Sequence, residues 1–126
     1  MALVLCTGAD PTLMKTRRLI LEHAGHRVVS ARDEQEVTDA CKYNYFDVAV
    51  IGQSISPEMK CLIAKLVHQY CPLAKMLELY PPYQSRTLEN ADSWLEVPSS
   101  APKDLADQVN KLAMAKASTI SRSGAR

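Results

Sequence analysis

Three histidines are the side chains in this sequence best suited to bind a metal ion or to transfer protons. His23 and His26 are three residues apart, a spacing that places two ligands on one face only when both lie within one helix. Gly25 stands between them and is expected to end a helix, because glycine readily adopts the conformation of a helix C-cap. No carboxylate is positioned to assist them or His68. The histidines therefore predict neither a metal site nor a catalytic base, and no cofactor is expected.

The four cysteines form no Cys-x-x-Cys pair, and each lies in an apolar pattern. They are Cys6, Cys41, Cys61 and Cys71. Closely spaced pairs are typical of metal and redox sites, whereas isolated cysteines among apolar residues usually pack as small hydrophobic side chains. We expect all four to be reduced and buried, as in proteins of a reducing compartment.

Asp10 and Asp47 are the two carboxylates nearest to strand ends that could act as nucleophiles. Asp10 precedes Pro11, a pair that predicts a helix start in which the aspartate accepts free backbone amides. Asp47 begins its predicted strand and so belongs at the edge opposite to the carboxyl ends, where ligands bind in such sheets. Neither is expected to act as a nucleophile.

Length and composition describe one folded domain. The chain has 126 residues, a formal net charge of +1, 47% hydrophobic and 23% charged residues. These values are typical of globular proteins and do not favour nucleic acid as a partner. No basic leader precedes the first apolar run and no run is long enough to cross a bilayer, so a cytoplasmic location without membrane attachment is expected.

The elements that must position any site are organised around residues 46–52, with the sequence F-D-V-A-V-I-G. A short apolar run without helical period, rich in β-branched residues and closed by glycine, predicts a strand that is buried on both faces. Such strands belong to parallel sheets with helices on each side, and chemistry takes place just beyond their carboxyl ends. The residue at that end is Gly52, which has no functional group.

Strands and helices are predicted to alternate through residues 1–116. Further strands are expected at 3–7, 28–31, 75–79 and 93–97, and helices are expected to begin at Pro11, Asp33, Pro57 and around 100–102. Prolines 81 and 82 leave only residues 84–90 free to form a short helix of at most two turns. The pattern predicts a flavodoxin-like, doubly wound α/β fold with a five-stranded parallel sheet, order 2-1-3-4-5, and a shortened fourth helix. Residues 117–126 are expected to be a flexible basic tail.

The chain resembles the receiver domains of bacterial two-component response regulators, the CheY-like family, over residues 2 to about 116. The resemblance rests on Asp10-Pro11 and on the segments 23–31 (H-A-G-H-R-V-V-S-A), 46–51 (F-D-V-A-V-I) and 91–98 (A-D-S-W-L-E-V-P), in the order and spacing of the family. It implies a signalling role in a phosphorelay with protein partners. Self-association as a possible homodimer is predicted separately, because a shortened fourth helix would leave apolar surface exposed.

All five positions that carry receiver chemistry depart from the family pattern. Receiver domains hold Mg²⁺ with an acidic pair, and the matching positions here are Gly8 and Ala9. Their phosphoacceptor aspartate matches Gly52, their conserved threonine or serine matches Tyr80, and their lysine matches Val97. Phosphoryl transfer needs a placed nucleophile and cations that neutralise the phosphoryl oxygens. The five residues therefore describe a vestigial pocket with no phosphoacceptor, no metal and no catalytic residue, as in a degenerate pseudo-receiver that is not an enzyme.

The segment after the fourth strand is the leading interface candidate. Tyr80-Pro81-Pro82-Tyr83 places two aromatics around a stiff turn, and Trp94 aligns with the aromatic residue that changes rotamer in phosphorylated family members. The favoured interpretation of Trp94 is nevertheless an aromatic residue that covers the sheet end. A shortened helix exposes apolar sheet, and such patches commonly mark interfaces.

Two functions are consistent with these residues. The first is an atypical stand-alone signalling protein that acts by phosphorylation-independent protein–protein interaction. The alternative is a small-ligand sensor at the same sheet edge. Its neutral hydrogen-bonding groups would come from five residues, Thr7, Gly8, Gln53, Ser54 and Tyr80. Lys15, Arg17 and Arg18 are interpreted as a solvated helix face, with an acidic partner as the other possibility.

Overall fold

The computed structural model describes residues 2–99, 101 and 103–124, with the side chains of the last helix described as far as Ala115. Strands and helices alternate along the chain as far as the fourth strand, which leads directly to the fifth. The elements are β1 (Leu3–Thr7), α1 (Pro11–His23), β2 (Arg27–Ala31), α2 (Glu34–Tyr43), β3 (Val48–Ile51), α3 (Pro57–Tyr70), β4 (Lys75–Tyr80), β5 (Ser93–Glu96) and α4 (Lys103–Gly124).

The five strands form one parallel sheet in the order β2-β1-β3-β4-β5, which confirms the predicted topology. All four residues of β3 are buried, as expected of a central strand covered on both faces. The side chains of α2 and α3 pack into the core on one face of the sheet, and those of α1 and α4 pack into the core on the other. This arrangement brings the carboxyl ends of β1, β3, β4 and β5 to one edge.

Side-chain caps begin the first three helices where the sequence predicts them. Asp10, Asp33 and Ser56 each accept at least one backbone amide from the first turn of α1, α2 and α3. Asp47 accepts a hydrogen bond of 2.8 Å from the amide of Leu3, at the amino edge of the sheet. Both aspartates that might have been nucleophiles are therefore bound to backbone amides.

The connection between β4 and β5 differs from the prediction of a shortened fourth helix. Residues 81–92, all of them described, form turns and contain no helix. The backbone groups of this loop find partners elsewhere: Glu78 accepts the amides of Thr87 and Leu88, and the Leu88 carbonyl accepts the indole N–H of Trp94. These long-range bonds take the place of the internal bonds of a helix, so the loop is ordered without one.

The last helix extends further than the sequence predicts. The backbone of α4 is helical to Gly124, whereas residues 117–126 were expected to be an irregular tail. The helix is favoured to continue because residues 113, 115 and 117 are alanines and because residues 103–123 contain neither proline nor glycine. The predicted start at residues 100 and 102 lies outside the described residues, and flexibility of the tail stays a prediction. Among the helices described, none combines the length and apolarity that crossing a membrane requires.

Candidate functional site

The five positions that by resemblance match the receiver site, which we continue to call the vestigial pocket, lie at the carboxyl edge of the sheet. The amide of Gly52 donates to the carbonyl of Thr7 at 3.1 Å, which places the end of β3 against the end of β1 and the Gly8–Ala9 turn. The amide of Val97 donates to the carbonyl of Tyr80 at 2.9 Å, so these two positions are also neighbours. The structure thus brings the residues at the matching positions together at one edge of the sheet.

Gly52 is packed so closely that no side chain fits there without movement of the backbone. A Cβ atom built on Gly52 would lie 2.6 Å from the carbonyl oxygen of Thr7 and 3.3 Å from the Cα of Gly8. The first distance is well below van der Waals contact, and its partner is backbone, which cannot rotate away. The packing of β1 against β3 therefore leaves no space for an aspartate side chain at position 52.

Arg17 fills the space beside Gly52, although the sequence predicted it to be part of a solvated helix face. Its side chain is buried, with 8% of its surface exposed, and Nη1 lies 3.3 Å from the Cβ position built on Gly52. Nη2 donates to Oε1 of Gln53. Burial lowers the pKa of Arg17 from its ordinary value, and the nearby charge of Asp10 partly opposes this. A cation of the chain itself therefore lies beside the position that, by resemblance, holds the phosphoacceptor.

Three of the five residues proposed as ligand contacts have side chains that are hydrogen-bonded within the protein. Thr7 Oγ1 donates to the Val50 carbonyl at 2.9 Å, and Ser54 Oγ accepts the amide of Ala9 at 3.2 Å. Gln53 accepts from Arg17 as described above. A ligand at this edge would have to replace these bonds. Small-ligand sensing stays a prediction, and the arrangement does not favour it.

Trp94, which by resemblance matches the switching aromatic residue of receiver domains, is held from two sides. Its indole N–H donates to the Leu88 carbonyl at 2.9 Å, and the guanidinium carbon of Arg86 lies 4.7 Å from the centre of its ring. The same guanidinium lies 5.8 Å from the ring centre of Tyr80. The cation–π contacts and the hydrogen bond fix one orientation of the indole. Of the other interface candidates, Pro81 is buried, whereas Pro82 and Tyr83 are exposed.

A buried ion pair below this edge was missed in the sequence. Lys60 of α3 and Glu78 of β4 are both inaccessible to solvent, with Nζ 2.8 Å from Oε2, and Nζ also donates to the Leu79 carbonyl at 2.9 Å. Two sequence signals could have revealed the pair. Lys60 shares the inward spacing of Ile63 and Val67 in α3, and Glu78 stands between Leu77 and Leu79 in a strand.

Glu78 remains ionised because its hydrogen bonds outweigh its burial. Burial alone raises the pKa of this carboxyl, but the hydrogen bond from Lys60 and the amides of Leu88 and Thr87 lower it further than burial raises it. Its pKa is therefore below the ordinary value. One carboxylate joins α3, β4 and the β4–β5 loop, and so holds the loop that replaces the fourth helix.

A groove of about 530 Å³ lies between α3 and this loop, where the connection leaves the sheet incompletely covered. Its apolar lining includes Ala64, Met76 and Leu88, and Cys61 opens into it. Cys61 is exposed, which corrects the expectation that all four cysteines are buried; the other three are. The correction follows from the position of Cys61 on the face of α3 that no helix covers.

The three histidines have different surroundings in the fold. His26 is buried, accepts the amide of Ala2 at Nδ1 and pairs through Nε2 with Oδ1 of Asn110, so it joins the amino end of β1 to α4. His23 and His68 are exposed. Within the described residues, no group of three potential metal ligands occurs.

Comparisons with known proteins identify the fold. No protein-family model matches the chain, and no curated protein matches it in sequence. Among solved structures, a CheY-like receiver domain protein from Methanospirillum hungatei matches with a TM-score of 0.80 at 20% identity, over 94% of this chain and 98% of that one. A receiver domain protein from Clostridium thermocellum matches with a TM-score of 0.77 at 20% identity, over 92% and 97% of the two chains.

A third match is the response regulator protein TrrA from Thermotoga maritima, solved in complex with Mg(2+)-BeF. It has a TM-score of 0.73 at 18% identity, over 89% of this chain and 99% of that one. In each case nearly the whole of both chains is covered, so the similarity describes a complete domain. The chain therefore has the fold of a response-regulator receiver domain.

Proposed function

We propose that this chain is a receiver-like signalling protein that acts through protein–protein interaction, independently of phosphorylation and without catalytic activity of its own. The receiver fold supports a role in signalling. The observation that carries the proposal is the packing at Gly52, where a Cβ would lie 2.6 Å from a backbone oxygen and where the guanidinium of Arg17 occupies the adjoining space. A phosphoryl group would find neither a nucleophile nor room.

The contacts at this edge also favour a single conformation. Arg17 joins α1 to the β3–α3 loop through Gln53, and Trp94 is held by Arg86 and by the Leu88 carbonyl. A surface that does not switch would present the same contacts to a partner at all times. In this proposal the signal depends on whether the partner is present.

The β4–β5 loop is the proposed partner site at the carboxyl edge. Pro81 is buried and anchors the loop, while Pro82 is exposed and Tyr83 is 84% exposed. A tyrosine on a stiff turn loses little conformational freedom on binding, and tyrosine is enriched among residues that dominate interfaces.

Beryllofluoride, which mimics a phosphoryl group, tests the independence from phosphorylation. With Mg²⁺ and beryllofluoride, ¹⁹F spectra should show no bound species for this chain, and the fluorescence of Trp94, its single tryptophan, should not change. TrrA, whose structure holds Mg(2+)-BeF, is the positive control. Saturable binding to this chain would contradict the proposal.

Co-purification of a partner protein with the chain from a cell extract tests the interaction. Its binding should be unchanged by Mg²⁺ and beryllofluoride, and it should be lost with Tyr83→Ser. Tyr45→Ser is the matched control, because Tyr45 is also exposed but lies at the opposite end of the sheet. Equal binding by both variants would remove the β4–β5 loop as the site.

A further inference from the structure

The end of the molecule opposite to the vestigial pocket carries a cluster of exposed hydrophobic side chains. Tyr43 ends α2, Tyr45 precedes β3, Tyr70 ends α3, and Leu73 precedes β4. Their exposed fractions are 84%, 93%, 38% and 67%. We call these four residues the tyrosine patch. Four of the seven large hydrophobic residues that are exposed in the described part of the chain belong to it.

The two halves of the tyrosine patch adjoin each other. The thiol of Cys71, next to Tyr70, lies 3.5 Å from the carbonyl of Asn44 and 3.7 Å from that of Cys41. These contacts fix the end of α3 against the end of α2. The tyrosines and Leu73 therefore form one surface on a rigid support, the arrangement that is typical of interaction sites.

The charge distribution of the patch favours a second copy of the chain as its partner. Segments 43–46 and 70–74 contain no Asp, Glu, Lys or Arg. In a two-fold interface the same surface is used by both copies, so charges near the axis meet like charges and weaken association. Lys42, Asp47 and Lys75 flank these segments, but the four residues of the patch are uncharged, so a two-fold contact centred on them brings no like charges together at its axis.

The area of the patch is adequate for a reversible dimer. A tyrosine buries about 150–250 Å² on contact, so the four side chains at their observed exposure provide about 500 Å². One partner of a standard interface buries about 800 Å², and flanking residues such as Asn44 and Pro72 adjoin the patch. An interface of this size is at the small end of the range, where association is weak and reversible.

We infer that the tyrosine patch binds the same patch of a second copy of this chain, forming a two-fold symmetric dimer. The dimer leaves the carboxyl edge, with Pro82 and Tyr83, facing away from the interface. The inference goes beyond the proposed function and does not depend on it, because it uses residues at the other end of the sheet.

Sedimentation equilibrium of the full chain tests the dimer. Between about 10 µM and about 1 mM, a range suited to interfaces of this size, the wild-type mass should rise from monomer toward dimer. The double substitution Tyr43→Ser and Tyr45→Ser should weaken association by about tenfold or more, because truncated interface tyrosines commonly have effects of this size. Both side chains are exposed, so the melting temperature should change little.

Tyr83→Ser is the matched control, since it makes the same change at a residue of equal exposure on the opposite end. Dimerisation that is retained in this variant and lost in the double variant supports the inference. A wild-type chain that stays monomeric at about 1 mM overturns it. Dimerisation that survives the double substitution, or that is lost only with Tyr83→Ser, also overturns it, and a failure here leaves the beryllofluoride test of the proposed function unaffected.

Discussion

The carbonyl oxygen of Thr7 limits what residue 52 can be. Its distance of 2.6 Å from a built Cβ means that even alanine requires β1 and β3 to separate at their carboxyl ends. Arg17 reinforces this, since its guanidinium is buried against the same turn. The glycine at position 52 and the burial of an arginine are thus two parts of one local packing arrangement, in which a cation of the chain lies beside the position that by resemblance matches the phosphoacceptor.

Gly52→Ala should destabilise the fold by about 1–3 kcal/mol, the usual effect of overpacking. Gly8→Ala is the control, because its nearest neighbour would be Cγ of Met14 at 3.2 Å, a flexible side chain that can move. Urea unfolding of both variants measures the difference. Equal stability of the two variants would show that the contact with the Thr7 carbonyl relaxes without cost.

Cysteine reactivity should differ sharply among the four thiols. Burial raises the pKa of Cys6 to about 12 and that of Cys41 to about 12, so neither forms the reactive thiolate at neutral or mildly alkaline pH. Cys71 is buried and Cys61 is exposed. When the native chain is treated with a disulfide reagent, one cysteine should react rapidly and release one equivalent of the reagent's thiol. After unfolding, all four cysteines should react. Cys61→Ser should abolish the rapid phase, and a rapid phase that persists would contradict the placement of α3.

At the scale of elements, the β4–β5 connection shows how a helix can be replaced. The loop is held by the Glu78 carboxylate, by the Trp94 indole and by the contacts of Arg86. Removing either partner of a buried ion pair leaves an uncompensated charge, which is more destabilising than the absence of the pair. The Lys60–Glu78 pair should therefore be the point at which α3, β4 and the loop are most sensitive to substitution.

Lys60→Met should destabilise the chain by about 3–5 kcal/mol, because it leaves the buried Glu78 carboxylate without its cation. Lys60→Met combined with Glu78→Gln should be less destabilised than the single variant, since no buried charge remains. Lys65→Met, at an exposed site on the same helix, is the control and should change stability by less than about 0.5 kcal/mol. Additive losses in a double-mutant cycle would argue against coupling of the pair.

At the scale of the whole molecule, the two ends of the parallel sheet have different surfaces. The carboxyl edge is closed by Arg17 and by the loop contacts of Trp94, whereas the amino end presents exposed tyrosines on rigid helix ends. The β4 strand connects them, running from Lys75 near the tyrosine patch to Tyr80 near the loop. A partner at one end and a second copy at the other would be sterically compatible.

Global stability should fall in acid because of Glu78. Its folded-state pKa is below the ordinary value of 4.5, so the carboxylate stabilises the fold above pH 4.5, and this stabilisation is lost as the pH falls below 4.5 through the folded-state pKa. The free energy of unfolding, measured in urea between about pH 6 and about pH 3, should decrease toward acid. Glu78→Gln should lower the stability at neutral pH and flatten this decrease. An unchanged slope in the variant would contradict the pKa direction.

Local signals in the sequence were sufficient for the architecture. Alternating apolar runs and helix starts at Pro11, Asp33 and Pro57 predicted the elements, and the right-handed crossover rule for parallel strands predicted the sheet order. The same signals placed Gly8, Ala9 and Gly52 at one edge, because parallel strands bring their carboxyl ends together. These inferences succeed because each depends on neighbours within a few residues or on a general rule of chain connection.

Tertiary contacts alone decided how the site is filled. Arg17 meets Gln53 across 36 residues and Lys60 meets Glu78 across 18. Local patterns can mark Lys60 and Glu78 as buried, but they do not specify which residue pairs with which. The face of α1 that holds Lys15, Arg17 and Arg18 appears solvated in the sequence, yet Arg17 turns inward because the space beside Gly52 is unoccupied by a side chain. The exposure of Cys61 and the loop in place of a fourth helix also depend on contacts between residues that are distant in the sequence. Burial depends on what the rest of the chain places opposite a residue, and only the folded arrangement determines that.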